Sequence, residues 1–270
     1  VDFKKPDQVI KKILRSSISD LICKGVNPKY YFISGSGNSK FFSKKNLKKI
    51  SKSLAQEQRK YSVSLCGGDT VFSKSLSFTI TSIGFAEKII YRNKAQPDDD
   101  IYVTGNLGDS YIGLQVLKKK LNFNSYLKKY FTNKYFCPDL HKEITKKLLS
   151  FANTSIDISD GLITDLDKLI NKQKLKYKLY LQDVPISKNL KKIIYLNKIK
   201  KVSCISRGDD YQILFTASPS KSRIIFETFK ANGIKISKIG KICTHLVKSQ
   251  IINEKGKIIA LKNKGYFHQF

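Results

Sequence analysis

Ser155–Asp165 reads SIDISDGLITD, an apolar run that ends in Asp157, Ser159 and Asp160 where a helical pattern begins. A strand-to-helix junction offers free N–H groups and the positive end of a helix dipole, which suits a phosphate. Two carboxylates at the same place repel a phosphate unless cations stand between them. The junction therefore reads as a metal or phosphate site. The ordinary alternative is that Ser159 or Asp160 caps the helix and Asp157 only ends a strand.

Working outward, carboxylates recur at similar places. Val9, Ile10, Ile13, Leu14, Ile18, Leu21 and Ile22 have the i, i+3, i+4 spacing of a helix over 7–24, and Asp20 lies on it before the stop at Gly25. A strand is expected at 30–34, a helix at 43–60, and a strand at 61–66 running into Gly67-Gly68-Asp69-Thr70. That tetrapeptide fits either a close backbone approach to a ligand with Asp69 as an oxygen donor, or a tight turn. A long strand is expected at 76–90 with Phe78, Ile80 and Phe85 in the core. Pro97 and the three aspartates after it mark a domain boundary, which divides the chain into 1–95 and 96–270.

In the second part, 101–104 reads as a strand and Gly105 and Gly108 as a turn into a helix. Residues 120–137 read as a lysine-rich aromatic connector, and a helix is expected from Pro138 to about Phe151. Helix and strand segments alternate from 176 to 205. Gly208-Asp209-Asp210 then brings two more carboxylates to the edge of an apolar strand, before a helix over 220–230 and two or three closing strands. If Asp20, Asp69, Asp157, Asp160, Asp209 and Asp210 converge, divalent cations must offset their repulsion. Mg²⁺ shared between carboxylates and substrate phosphates is the chemistry that fits.

Composition narrows the classes. No apolar run reaches the roughly 18 residues of a membrane span, and a cytoplasmic protein is expected. The five cysteines are single and without CxxC spacing, which argues against a disulfide framework or a zinc site. The three histidines are isolated. Net charge is +30, but nearly all of it is lysine spread along the chain, with arginine only at Arg15, Arg59, Arg92, Arg207 and Arg223. A basic nucleic-acid-binding protein is the rival from another class; the diffuse lysine argues against it.

SISDL with Lys24-Gly25, GGDT, Arg92 with IYVTGNLGDS, SIDISDGL, RGDDYQILFT and the closing KGY occur in an order and spacing that closely resemble thiamine-monophosphate kinase, a member of the aminoimidazole ribonucleotide synthetase-like ATP enzymes. The resemblance covers essentially the whole chain. It implies a two-domain α/β (α+β) fold: an N-terminal sheet-plus-helices domain that binds ATP and Mg²⁺ and dimerises through its sheet, then a C-terminal α/β domain.

By the same resemblance Asp20, Asp69, Asp157 and Asp160 are Mg²⁺ ligands, and Gly68, Asp69, Arg92 and Ser159 contact ATP. Asp157 and Arg92 serve the transfer, and Asp209 and Tyr266 hold the thiamine end of thiamine monophosphate. Arg207 and Asp209 depart from the family's usual Gly and Glu. Related enzymes of the same fold, and an inactive scaffold, are the other readings. The family also opens with a Gly-Asp-Asp segment, a Ser/Thr-Asp pair and a His-Phe element. None precedes Val1, and no methionine occurs. The expectation is a chain that begins inside a longer protein, binds Mg²⁺-ATP weakly and turns over slowly.

Overall fold

Four apolar residues one helical turn apart set the first element. Pro6–Cys23 forms α1, with Pro6 in the first turn, where a missing N–H leaves nothing unpaired, and Ile10, Leu14, Ile18 and Ile22 buried along one face. The computed structural model describes residues 5–197, 199–261 and 265. Beyond α1 come β1 (Pro28–Gly37), α2 (Lys44–Tyr61), β2 (Ser64–Phe72) and β3 (Ser77–Gly84). Ser43 caps α2 by accepting the Asn46 N–H. The three strands form one sheet in the order β2-β1-β3, with β2 parallel and β3 antiparallel to β1.

Two expectations fail here. GGDT lies inside β2, with Gly68 opposite Ile33 and Asp69 opposite Ser34, so it is neither a turn nor a strand end. A β-carbon on Gly68 would stand 1.8 Å from the Ile33 carbonyl oxygen, so the sheet itself requires this glycine. β3 stops at Gly84, and Phe85 is 68% exposed rather than in the core, while Phe78 and Ile80 pack against it as expected.

The second sheet is built from β4 (Asp100–Thr104), β5 (Thr154–Asp157), β6 (Lys176–Tyr180), β7 (Ile213–Ala217), β8 (Ile236–Cys243) and β9 (Gln250–Ile252), in the order β5-β7-β4-β8-β6-β9. Its helices are α3 (Asp109–Leu117), α4 (Ser125–Phe136), α5 (Thr145–Leu148), α6 (Leu162–Leu169), α7 (Lys188–Asn197), α8 (Lys201–Ile205) and α9 (Ser222–Ala231). The expected connector at 120–137 is largely α4. Asn124 caps it, and Phe131, Tyr135 and Phe136 are buried between solvated lysines. The helix expected from Pro138 is only a 3-10 turn at Lys142–Ile144 followed by the single turn of α5.

Two sheets with their own helices give the mixed α/β architecture expected. The apolar core does not stop at the expected boundary: α1, Tyr31 and Ile90 share one cluster with Leu140, Leu148, Phe215 and Phe229. α1 is the bridge. Arg15 donates to both oxygens of Glu57 in α2 (2.7 and 2.9 Å) and to the Pro138 carbonyl (2.9 Å), all buried.

Candidate active site

The two acidic motifs of the second half form one clasp. Past the paired ends of β5 and β7, the Ile158 N–H donates to the Gln212 carbonyl (2.9 Å), Tyr211 N–H to Ile158 (2.8 Å) and Asp209 N–H to Ser159 (2.9 Å). Gly208 and Gly161 permit this closeness. Gly208 holds φ +73°, and a β-carbon there would stand 2.0 Å from the Ser159 oxygen; Gly161 holds φ +119°, and its β-carbon would stand 2.5 Å from the Ser206 carbonyl. No L-residue fits at either position without displacing the opposite loop.

Asp157 is the last residue of β5 and is buried against α1, where its Oδ2 accepts from Ser19 Oγ at 2.7 Å. Burial, and then the charge of Asp20, push its carboxyl up to about 7, against the Ser19 hydrogen bond. Asp20 follows Ser19 on α1, and partial desolvation raises its pKa while Lys24 and Arg92 oppose the shift. Arg92 is held in this neighbourhood by the preceding peptide, since Thr154 Oγ1 at the start of β5 donates to the Tyr91 carbonyl (2.7 Å). Asp20 therefore feels the charge of Arg92, and Asp157 that of Asp20. Two carboxylates that repel each other beside cationic side chains can take up a divalent cation or a phosphate-bound one.

The remaining predicted residues are placed differently. Asp160 pairs with Lys168, which also lies 3.3 Å from Asp165. Asp69 is exposed on β2 and accepts from the Thr70 N–H (2.7 Å). Among the described residues, no group of three His, Cys, Asp or Glu side chains stands close enough to hold a metal ion.

Neither Ser159 nor Asp160 caps α6. The N-cap is Gly161, and the fully buried Asp165 reaches back from the helix to accept the N–H groups of Asp160 (2.9 Å) and Gly161 (3.1 Å) that lead into it. The motif reading missed Asp165; its signal was an acidic residue on the apolar side of a helix's first turn.

Asp210 is structural in the same sense. Its Oδ2 accepts the Gly108 N–H at 2.8 Å, and burial, with Asp109 and Asp209 adding to it, pushes its carboxyl up to about 8. The Gly-rich turn before α3 therefore already has its own carboxylate, and Gly105 and Gly108, both at positive φ, serve the turn as expected. Asp209 also holds a positive φ (63°) and pairs with Lys12 at 2.7 Å.

Tyr266 lies outside the described residues. Gly265 beside it packs on the start of α6, where a β-carbon would meet Thr164 Oγ1 at 2.0 Å and the Asp160 carbonyl at 2.7 Å. His141 Nε2 lies 2.9 Å from Gln212 Oε1, which also accepts from Thr104, so this histidine belongs to an internal polar network. A cavity of about 770 Å³ lined by Leu181, Ile194, Val202, Ser206, Arg207 and Leu261 touches none of the predicted site residues.

The family model described as AIR synthase related protein, N-terminal domain, matches residues 1–86. The chain is 34% identical over 276 residues to the thiamine-monophosphate kinase of Buchnera aphidicola subsp. Acyrthosiphon pisum, covering 97% of this chain and 81% of that protein. To the thiamine-monophosphate kinase of Haemophilus influenzae it is 32% identical over 244 residues, 88% of this chain and 72% of the other. Among solved structures, "AaThiL complexed with AMPPCP and TMP" superposes with a TM-score of 0.84 at 23% identity over 97% of this chain and 81% of that one. At that identity the likeness carries the fold.

Proposed function

This chain belongs to the thiamine-monophosphate kinase family, and from that premise we propose that it transfers the γ-phosphoryl group of ATP to the phosphate of thiamine monophosphate, giving thiamine diphosphate and ADP. A phosphate oxygen of the acceptor forms the new P–O bond as the bond to the β-phosphate breaks. That oxygen is already ionised at neutral pH, so no general base is needed, and positioning and charge neutralisation carry the reaction. The relative whose structure superposes on this chain was solved with AMPPCP and TMP, which supports the pair of substrates.

The observation that carries the proposal is the Asp157–Asp20 pair beside Arg92. Asp157 is buried with the like charge of Asp20 acting on it and only the Ser19 hydroxyl as a side-chain partner, a repulsion that a bound cation would relieve. Mg²⁺ bound there would neutralise charge between the two phosphate anions. Asp157 and Asp20 would hold it as oxygen donors, and Asp69 and Asp160, whose carboxylates here meet the Thr70 N–H and Lys168, complete the proposed ligand set. Arg92 adds cationic charge for the transferring group, Ser159 and Gly68 contact the nucleotide, and Asp209 with Tyr266 hold the thiamine end.

Residues 1–95 and 96–270 are the proposed units, joined through α1. The first dimerises through its sheet: β2 is exposed along most of its length, with Val71 and Phe72 at 51% and 82% exposure, an open apolar edge of the kind that pairs. Phe72→Lys should shift a dimer to monomer in light scattering. The proposed compartment is the cytoplasm, where ATP is abundant and thiols stay reduced; all five cysteines are free. Among the described residues no helix is long and apolar enough to cross a membrane.

Thermal unfolding with Mg²⁺ and AMPPCP, with and without thiamine monophosphate, tests the site. A ligand at a hundredfold excess over its Kd should add about 2.7 kcal/mol of stability to the wild-type protein. Asp157→Asn should lose the Mg²⁺-dependent part. Equal stabilisation of both proteins would remove Asp157 from the site, and absence of thiamine diphosphate after incubation with ATP and thiamine monophosphate would defeat the proposal.

A further inference from the structure

Lys12 belongs to none of the motifs, yet it is the most confined lysine in the neighbourhood of the clasp. It sits on the buried side of α1, with its ammonium nitrogen 2.7 Å from Asp209 Oδ1 and 3.5 Å from the Asp209 carbonyl oxygen. The rings of Tyr135 and Tyr211 flank it, with centroids 4.6 and 4.5 Å away. An ammonium taken this far from water needs compensation; the carboxylate and two aromatic faces give it. Burial still pulls its pKa down, with Asp209 and then Asp210 pulling the other way.

What Lys12 does to Asp209 matters more than what it does for itself. The Asp209 backbone is fixed by its N–H bond to Ser159 and its left-handed conformation. Lys12 and, more distantly, the Tyr211 hydroxyl (3.4 Å) both engage Oδ1. Among the described residues Oδ2 has no partner, and the side chain keeps 28% of its surface. A carboxylate tied at one oxygen by a rigid lysine presents the other in a fixed direction. Because its charge is already balanced, that oxygen acts as a hydrogen-bond acceptor rather than as a free counter-charge.

Resting on the reading in which Asp209 holds the thiamine end of the substrate, we propose that Lys12 is a positioning residue for substrate recognition: it holds one Asp209 oxygen so that the other accepts a hydrogen bond from an N–H donor of the thiamine moiety. Asp209 is shorter than the glutamate usual in the family, and an acid anchored by Lys12 has its remaining reach set by that anchor.

The test is steady-state kinetics on wild type, Lys12→Met, Lys12→Gln, Asp209→Asn and the double variant Lys12→Met/Asp209→Asn, each shown to be folded by thermal unfolding. Lys12→Met and Asp209→Asn should each raise KM for thiamine monophosphate about tenfold, the size of one hydrogen bond to a charged group, with kcat and KM for ATP within about twofold. Lys12→Gln keeps a donor for Asp209 and should recover most of the loss. The double variant should be no worse than the worse single one, because both changes break the same contact.

An unchanged KM in Lys12→Met, penalties that multiply in the double variant, or equal damage to kcat and both KM values would overturn the proposal. The same holds if Lys12→Gln is as poor as Lys12→Met. No turnover by wild type would instead bring down the functional reading and this inference with it, so the two failures are distinguishable.

Discussion

Asp157, the last residue of β5, and Asp210, just ahead of the neighbouring β7, are both buried aspartates with carboxyls pushed up by burial, yet their partners differ. Asp210 looks inward at the Gly108 N–H and closes a turn. Asp157 has one hydroxyl partner, Ser19, and faces another carboxylate, Asp20. Asp160, three residues after Asp157, and Asp209, just before Asp210, have lysine partners, Lys168 and Lys12. A carboxylate at an element end is therefore not yet a site. On the proposed reading, what marks Asp157 as a ligand and Asp210 as a cap is whether the nearest strong partner is a like charge or a backbone N–H, and only the fold decides that.

The largest way to break the comparison is to separate the loops that carry these acids. Gly208→Ala places a β-carbon 2.0 Å from the Ser159 oxygen at a positive φ, and should cost about 3 kcal/mol in urea unfolding. Gly233→Ala, also at positive φ but with nothing within 4 Å of its β-carbon, should cost only about 1 kcal/mol. Equal losses would mean that the clasp tolerates opening and that backbone strain alone is being measured.

A sharper test uses pH. Asp210 has a folded pKa of about 8, above the ordinary carboxyl value of about 3.9 in the unfolded chain, so the folded state holds its proton longer. Wild-type stability should fall as pH rises from about 4 to 8, and Asp210→Asn, which cannot titrate but can still accept from Gly108, should be spared that fall. The difference in unfolding free energy between the two proteins should move in favour of the variant by on the order of 4 kcal/mol between pH 5 and pH 8. Parallel profiles would show that Asp210 is ionised in the fold, like a ligand rather than a cap.

The smallest effect concerns Asp165. Asp165→Ala removes the acceptor of the Asp160 and Gly161 N–H groups and should cost about 1 kcal/mol, the scale of a lost helix cap. A loss of Mg²⁺-dependent stabilisation in this variant as complete as in Asp157→Asn would move Asp165 from capping to the site proper.

Much of this was legible in the chain. The repeating apolar face of α1 and the apolar run of β7 announce their elements, because periodicity and apolar runs are local signals. α4 was hidden because lysines fill the gaps between Leu127, Phe131 and Tyr135. GGDT was misplaced because Gly68 serves a close strand approach that only the partner strand reveals. The acidic motifs pointed to the right neighbourhood but not to their partners. Ser19 is 138 residues from Asp157 and Lys12 is 197 residues from Asp209, separations at which no spacing rule operates.

Lys12, Arg15 and Ser19 follow one another at intervals of three and four along α1, so they project from the same side of one rigid rod. The first grips the loop proposed for the thiamine end, the second locks α2 to the Pro138 segment, and the third steadies the acid proposed for the phosphoryl-transfer end. Any displacement of the rod would shift all three contacts at once, which ties the geometry of the loop proposed for the thiamine end to that of the acid proposed for the phosphoryl-transfer end.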